Sequence, residues 1–259
     1  MSTSHSENLK NNGFTVINVP KYIRKNFEDS ILEIFNEKNL LEKKSFKDAS
    51  KKIQSLNEKE FVKNFGHVAF RYLKFKHSLN FNNWVQKALK KYLNSKNASL
   101  HYSCVFDRKV NKKINSKQFC VYFRCVRPNT EKDVGRAHRD KDFWKLIKKK
   151  EIPKAPFKYS KLYKIWIPIF GCNSKNSLHF YKSSNLNINM KTIYYKKNKR
   201  KKPYYNHSFL KNIQNTITQP LKNFNKEANL FSDNVLHFAP RNENSQQIRL
   251  SVEATIVTN

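Results

Sequence analysis

From Ser99 onward the chain breaks into segments too short and too rich in β-branched and aromatic residues for helices. SLHYSCVFDR, QFCVYFRCVRP, KLYKIWIPIFG, SLHFYKS, NLFSDNVLHFAP and QIRLSVEATIV follow one another, with Asn, Asp, Pro, Gly or Ser between them. Strands at this density predict a sandwich or barrel. The preceding part reads differently. Phe14–Val19 predicts a first strand ending at Pro20, and Ile23, Phe27, Ile31, Leu32, Ile34 and Phe35 recur at helical spacing over 21–39. Further helices are expected over about 46–55, 59–65 and 83–94. No linker and no internal repeat separates the two parts. The reading is one domain over 13–259, mainly β with flanking helices (α+β): 13–98 as helix-rich support and 99–259 as a barrel-like core. Residues 1–12 read as a frayed, disordered tail.

Composition narrows the function classes. Four Gly exclude a collagen-like or Gly/Ser low-complexity chain, and 14% aromatics exclude disorder throughout. Cys104, Cys120, Cys125 and Cys172 show no CxxC or finger spacing, so they read as reduced, mostly buried thiols of a cytoplasmic protein. The polar N-terminus has no apolar run, so no secretory signal is expected, and no stretch is apolar enough to span a membrane.

Fifty-two Lys and Arg against 19 Asp and Glu give a formal net charge of +33. AT-rich coding raises Lys, Asn, Ile, Phe and Tyr together, and both coding bias and function stay open as sources of the lysine. Coding bias does not explain the shortage of acids. Such a charge attracts phosphates, nucleic acid or anionic lipid through its long-range field. Lys196–Lys202 (KKNKRKK) concentrates it within a weakly patterned insertion at about 186–215, readable as a solvated loop or as a clamp for an anionic substrate.

The chemistry-bearing residues are His138, Asp140, His237, Arg249 and Ser251. His138 and Asp140 form an H-x-D, and on an extended strand residues two apart share a face. His237, in the strand-like NVLHFAP, is the candidate third ligand. Two His and one carboxylate on one face of an octahedral ion leave positions open, the facial arrangement of non-haem Fe(II) oxygenases. A hairpin turning about Glu243 pairs position 237 with 249 and puts Ser251 on the same face. Arg249 then offers a two-pronged carboxylate anchor with a hydroxyl beside it. That set suits a 2-oxo acid. Tyr122, Arg124 and Trp166 flank the expected site as substrate or cosubstrate contacts, with core packing as the alternative. His179 has no partner at H-x-D spacing and reads as structural.

The order His-x-Asp, distal His, then Arg-x-Ser twelve residues later resembles the Fe(II)/2-oxoglutarate-dependent oxygenases, and within them the phytanoyl-CoA-hydroxylase-like group. KIWIPIFGCNSKNSLHFYKSSN (164–185) and NLFSDNVLHFAPRNENSQQIRLSVEATIV (229–257) carry the likeness, which covers about 100–257. It implies a double-stranded β-helix (jelly-roll, cupin-like) core. It also implies Fe(II) on His138, Asp140 and His237, 2-oxoglutarate on Arg249 and Ser251, O2 as oxidant and ascorbate as accessory reductant. Two positions depart from that group: Lys182–Asn185 replaces a Pro-Gly-Ser-His, and Ser177 stands where Gly is usual. Asp140 argues against a halogenase.

The expected activity is hydroxylation of a C–H bond of a small, anionic or carrier-linked substrate, with release of succinate and CO2. Two other classes stay open. One is a nucleic-acid-directed oxygenase, with Tyr194, Tyr195, Tyr204 and Tyr205 beside the basic run. The second Arg that the demethylase branch carries after the distal His is missing from RLSVEATIV, so nucleic acid is expected to bind only non-specifically. The other is a jelly-roll binding protein without catalysis, against which the intact ligand set argues. Oligomeric state is not readable.

Overall fold

The computed structural model describes residues 4–66, 68–101, 119–144, 160–186, 192–197, 200–243 and 245–259, with the short pieces 106–107 and 112–113 and the single residues 158 and 190. The N-terminal part is helical. Helix α1 (His5–Asn11) corrects the expected tail: Ser4 and Glu7 form a capping box, and Leu9 is buried. Helix α2 (Lys21–Glu37) starts after Pro20 and buries Ile23, Phe27, Ile31 and Phe35 on one stripe. Helices α3 (Phe46–Gln54) and α4 (Glu58–Phe65) are N-capped by Ser45 and Asn57.

Helix α5 (Phe75–Trp84) runs through a π-helical turn, Val85–Leu89, into α6 (Lys90–Tyr92). It begins before the expected position 83 because polar residues occupy part of its buried face. Among them Asn82 accepts the Leu100 N–H at 2.8 Å and the Ser99 hydroxyl at 3.0 Å. Apolar periodicity cannot register a face that is buried for hydrogen bonding.

The strands are β1 (Phe14–Asn18), β2 (Ala98–Leu100), β3 (Phe106–Asp107), β4 (Lys112–Lys113), β5 (Val121–Val126), β6 (Lys161–Phe170), β7 (His179–Tyr181), β8 (Ile193–Lys197), β9 (Arg200–Tyr204), β10 (Ile217–Thr218), β11 (Glu227–Ser232), β12 (His237–Phe238) and β13 (Arg249–Thr258). One antiparallel sheet runs β1-β11-β6-β13-β2, with β5 also paired to β13. A smaller sheet runs β10-β7-β12, and His138 extends it by bridging to His237. Tyr102–Val105, with Cys104, lie outside the described residues.

Period-two alternation sorts the large sheet into two faces. Ile165 and Ile167 of β6, Ala228 and Leu230 of β11, Val121 and Phe123 of β5, and Leu250, Val252, Ala254 and Ile256 of β13 pack with the helices in the main core. The alternate residues turn the other way. Phe14, Trp166 and Phe231 meet Leu178, Phe180 and Val235 in a second cluster between the sheets. Rings of Phe14 and Phe180 stack at 4.5 Å. The layers are therefore helices, large sheet and small sheet.

The insertion folds as the β8–β9 hairpin followed by α8 (His207–Asn212), giving regular structure where a loop was one of two readings. Side chains of 195–202 lie outside the described residues. Among the described residues, no helix is long and apolar enough to cross a membrane.

Candidate metal centre

His138 and His237 exchange backbone hydrogen bonds, each amide donating to the other's carbonyl at 3.0 Å. This direct pairing puts both imidazoles on one face, with ring centroids 4.6 Å apart. Asp140 opens the short helix α7 (Asp140–Trp144) immediately beyond. Ligand atoms of His138, Asp140 and His237 all lie within 4.8 Å of one another.

The imidazole tautomers follow from their neighbours. His138 Nδ1 lies 2.7 Å from the Arg136 carbonyl, and His237 Nδ1 lies 3.0 Å from the Val235 carbonyl. A carbonyl only accepts, so each Nδ1 carries the proton and each Nε2 presents a lone pair. Burial, and then the neighbouring His237, push the His138 imidazole down to about 4, so it is neutral at pH 7. Asp140 Oδ2 is buried with no hydrogen-bond partner, 3.7 Å from His237 Nε2. Two free imidazole lone pairs and an orphaned carboxylate oxygen aimed at one point fit a divalent transition ion.

The surroundings hold these ligands in place. Lys141 N–H donates to the Asp233 carbonyl at 2.9 Å, tying the start of α7 to the segment before His237. Asp142, fully buried, takes Arg139 Nε at 3.1 Å and the Tyr205 hydroxyl. Leu236 N–H donates to Ser184 Oγ at 2.8 Å. This accounts for the unusual Lys182–Asn185 turn: Ser183 sits at φ 57°, and Ser184 braces the strand that carries His237.

A cleft of about 550 Å³, partly open to solvent, lies over the three ligands. Its far wall is the inward face of β13, where Arg249, Ser251 and Glu253 follow at alternate positions. Arg249 is 2% exposed. Its Nη1 donates to the carbonyls of Asn176 and Pro240, and its Nε is buried without a partner. Gly171, just past β6, lets the backbone lie against the residue before β13: its φ is +63°, and a Cβ there would meet the Ile248 carbonyl oxygen at 2.1 Å.

The structure brings His138, Asp140, His237, Arg249, Ser251, Arg124 and Trp166 to one cleft. Tyr122 stands behind it, its hydroxyl donating to Glu253 at 2.9 Å. Two expected local geometries are corrected. H-x-D does not lie on one extended strand, because Asp140 has already entered α7. His237 and Arg249 are not hairpin partners: β12 pairs with β7 and His138, whereas β13 pairs with β5 and β6. The chain changes sheets between them, so the two residues reach the cleft from opposite walls. His179 stands apart, stacked on Phe238 with Nδ1 on the Ser177 carbonyl. Cys120, Cys125 and Cys172 are free thiols.

Sequence reasoning missed Lys164 and Glu253, which also line the cleft. Glu253 accepts from Arg124 Nε at 2.5 Å. Burial opposes its ionisation, but Arg124 and then Lys164 outweigh burial and hold its carboxyl down at about 2. Both positions were reachable, since 253 is two residues from Ser251 and 164 is two from Trp166. Of the four tyrosines near the basic run, Tyr205 is 3% exposed and faces Asp142, which removes it from any stacking surface.

No family model and no curated protein matches the sequence. Solved structures match its fold. EctD from S. alaskensis, with 2-oxoglutarate and 5-hydroxyectoine, superposes with a TM-score of 0.55 at 10% identity, over 100% of this chain and 76% of EctD. The non-heme monooxygenase ThoJ, in a nickel complex, gives 0.51 at 9% identity, over 98% and 77%. SnoK, a non-heme alpha-ketoglutarate-dependent carbocyclase from nogalamycin biosynthesis, gives 0.51 at 8%, over 100% and 84%. At these identities the likeness establishes architecture: the chain shares its fold with EctD, ThoJ and SnoK.

Proposed function

We propose that the protein is an Fe(II)- and 2-oxoglutarate-dependent dioxygenase that hydroxylates a C–H bond of a small substrate and has a jelly-roll core. The observation carrying this reading is the convergence of His138, Asp140 and His237, with Arg249 and Ser251 on the facing strand of the same cleft. The shared fold with EctD, ThoJ and SnoK supports it.

His138, Asp140 and His237 would hold the iron, which when bound with a 2-oxo acid supplies activation of O2 and oxidation of the substrate, releasing succinate and CO2. Arg249 binds the distal carboxylate of 2-oxoglutarate, with the Ser251 hydroxyl adding a hydrogen bond. The carbonyls of Asn176 and Pro240 fix the guanidinium before the ligand arrives. Trp166, Phe231 and Leu178 form the apolar wall that excludes water. The Arg124–Glu253 ion pair braces the opposite end of the β13 row.

The test is succinate formation from 2-oxoglutarate, which this mechanism allows slowly even without the primary substrate. Formation that requires Fe(II) and O2 and disappears in His138→Ala, Asp140→Ala and His237→Ala is expected. Iron-dependent formation surviving in all three would overturn the ligand assignment.

A further inference from the structure

The cleft holds three cations, Arg124, Arg249 and Lys164, and among the described residues only the first is ion-paired. Arg124 is paired with Glu253, and Arg249 donates to two carbonyls. Lys164, on the inward face of β6, is 5% exposed, and its Nζ donates to the neutral hydroxyl of Thr255 at 3.1 Å. Among the described residues no carboxylate comes within 4 Å of it. Its other close neighbour is the Tyr122 ring, with the centroid 5.5 Å away. An ammonium has three donors, and this one spends one of them on a hydroxyl. Burying a cation so incompletely satisfied is costly, and an ordinary strand lysine would extend its head to water. Burial lowers its proton affinity, but Tyr122, Asp140, Cys120 and Glu253 together raise it by more, so the lysine stays charged.

The charge balance of the cleft, which rests on the iron and 2-oxoglutarate reading, points the same way. Arg124, Lys164 and Arg249 face Asp140 and Glu253, while Asp133, also in the lining, is held by Arg127. A divalent ion and a dianionic oxo acid cancel each other. One positive charge is left over; with Arg249 taken by the distal carboxylate of the oxo acid, Lys164 is the cation that no described carboxylate contacts. We propose that Lys164 is a second carboxylate-binding residue of the cleft, separate from Arg249, receiving a singly charged carboxylate with Thr255 orienting the ammonium. Two molecules could bring that group: the primary substrate, or 2-oxoglutarate through its metal-proximal carboxylate.

The test is anaerobic calorimetry on the full chain, comparing wild type with Lys164→Met, Lys164→Gln and Lys164→Arg. One arm titrates 2-oxoglutarate into Fe(II)-loaded protein. The other titrates straight-chain monocarboxylates, acetate to hexanoate, into protein already holding Fe(II) and saturating 2-oxoglutarate. Loss of one charge-assisted contact predicts roughly 10- to 100-fold weaker binding in one arm for the neutral variants, with Lys164→Arg close to wild type. Weakening in the first arm assigns the carboxylate to the cosubstrate, and in the second to the primary substrate. Unchanged affinities in both arms, in a neutral variant whose circular dichroism matches wild type, would overturn the proposal. Should wild type bind no 2-oxoglutarate with Fe(II), the iron reading fails by itself. The monocarboxylate titration in metal-free protein then decides Lys164 alone.

Discussion

Replacing Glu253 by Gln removes one charge from the cleft wall without changing its shape. The carboxylate is buried between Arg124 Nε at 2.5 Å and the Tyr122 hydroxyl at 2.9 Å, and its pKa is lowered from 4.5 to about 2. At 1.36 kcal/mol per tenfold change in proton affinity, the ionised form stabilises the fold by roughly 3 kcal/mol. The folded pKa is depressed, so this stability is fully present above about pH 4.5 and is lost as the pH falls toward 2. Linkage between those values leaves about 1 kcal/mol at pH 3. Glu253→Gln also strands the Arg124 guanidinium, which acts in the same direction at neutral pH. Urea unfolding of both proteins at pH 7 and pH 3 should show the gap shrinking from about 3 to about 1 kcal/mol. A gap below about 1 kcal/mol at pH 7, or one unchanged at pH 3, would refute the reasoning that Glu253 is a strongly paired buried carboxylate.

Other outcomes follow from the same geometry. Tyr205→Phe removes the hydroxyl that holds Asp142, two residues from Asp140, and should weaken Fe(II) affinity roughly tenfold, read by competition with a chelator. Gly171→Ala puts a methyl group against the Ile248 carbonyl at a positive φ, and a loss of roughly 1–3 kcal/mol in urea unfolding is expected. Arg249→Ala should weaken 2-oxoglutarate binding about 10- to 100-fold by calorimetry while leaving Fe(II) affinity within a few-fold.

The strands were legible because a residue's face is set by period two. Aromatic and β-branched runs, cut by turn residues, announce that pattern. The residue types of the candidate site were legible for a chemical reason, since H-x-D, a distal His and Arg-x-Ser are an uncommon set to find in this order. How those residues meet was not legible. Sequence proximity suggested that 237 and 249 pair in a hairpin, whereas the chain between them crosses from the small sheet to the large one.

Long-range pairing of His138 with His237 depends on strands 99 residues apart, which no local pattern encodes. Lys164 and Glu253 were overlooked because a single charge in an apolar strand resembles a solvent-facing position. The face shared with Trp166 and Ser251 identifies them instead. Helix α1 was misread because a polar composition masks the Ser4–Glu7 capping box and the single buried Leu9.

The central claim is that these residues assemble one centre for iron and a 2-oxo acid. Its most direct test is anaerobic: Fe(II) and then 2-oxoglutarate are added to metal-free protein while the visible spectrum is recorded. The account predicts a metal-to-ligand charge-transfer band that is absent in His138→Ala and needs more 2-oxoglutarate to develop in Arg249→Ala. Folded wild-type protein that gives no band, or a band unchanged in His138→Ala, would contradict it.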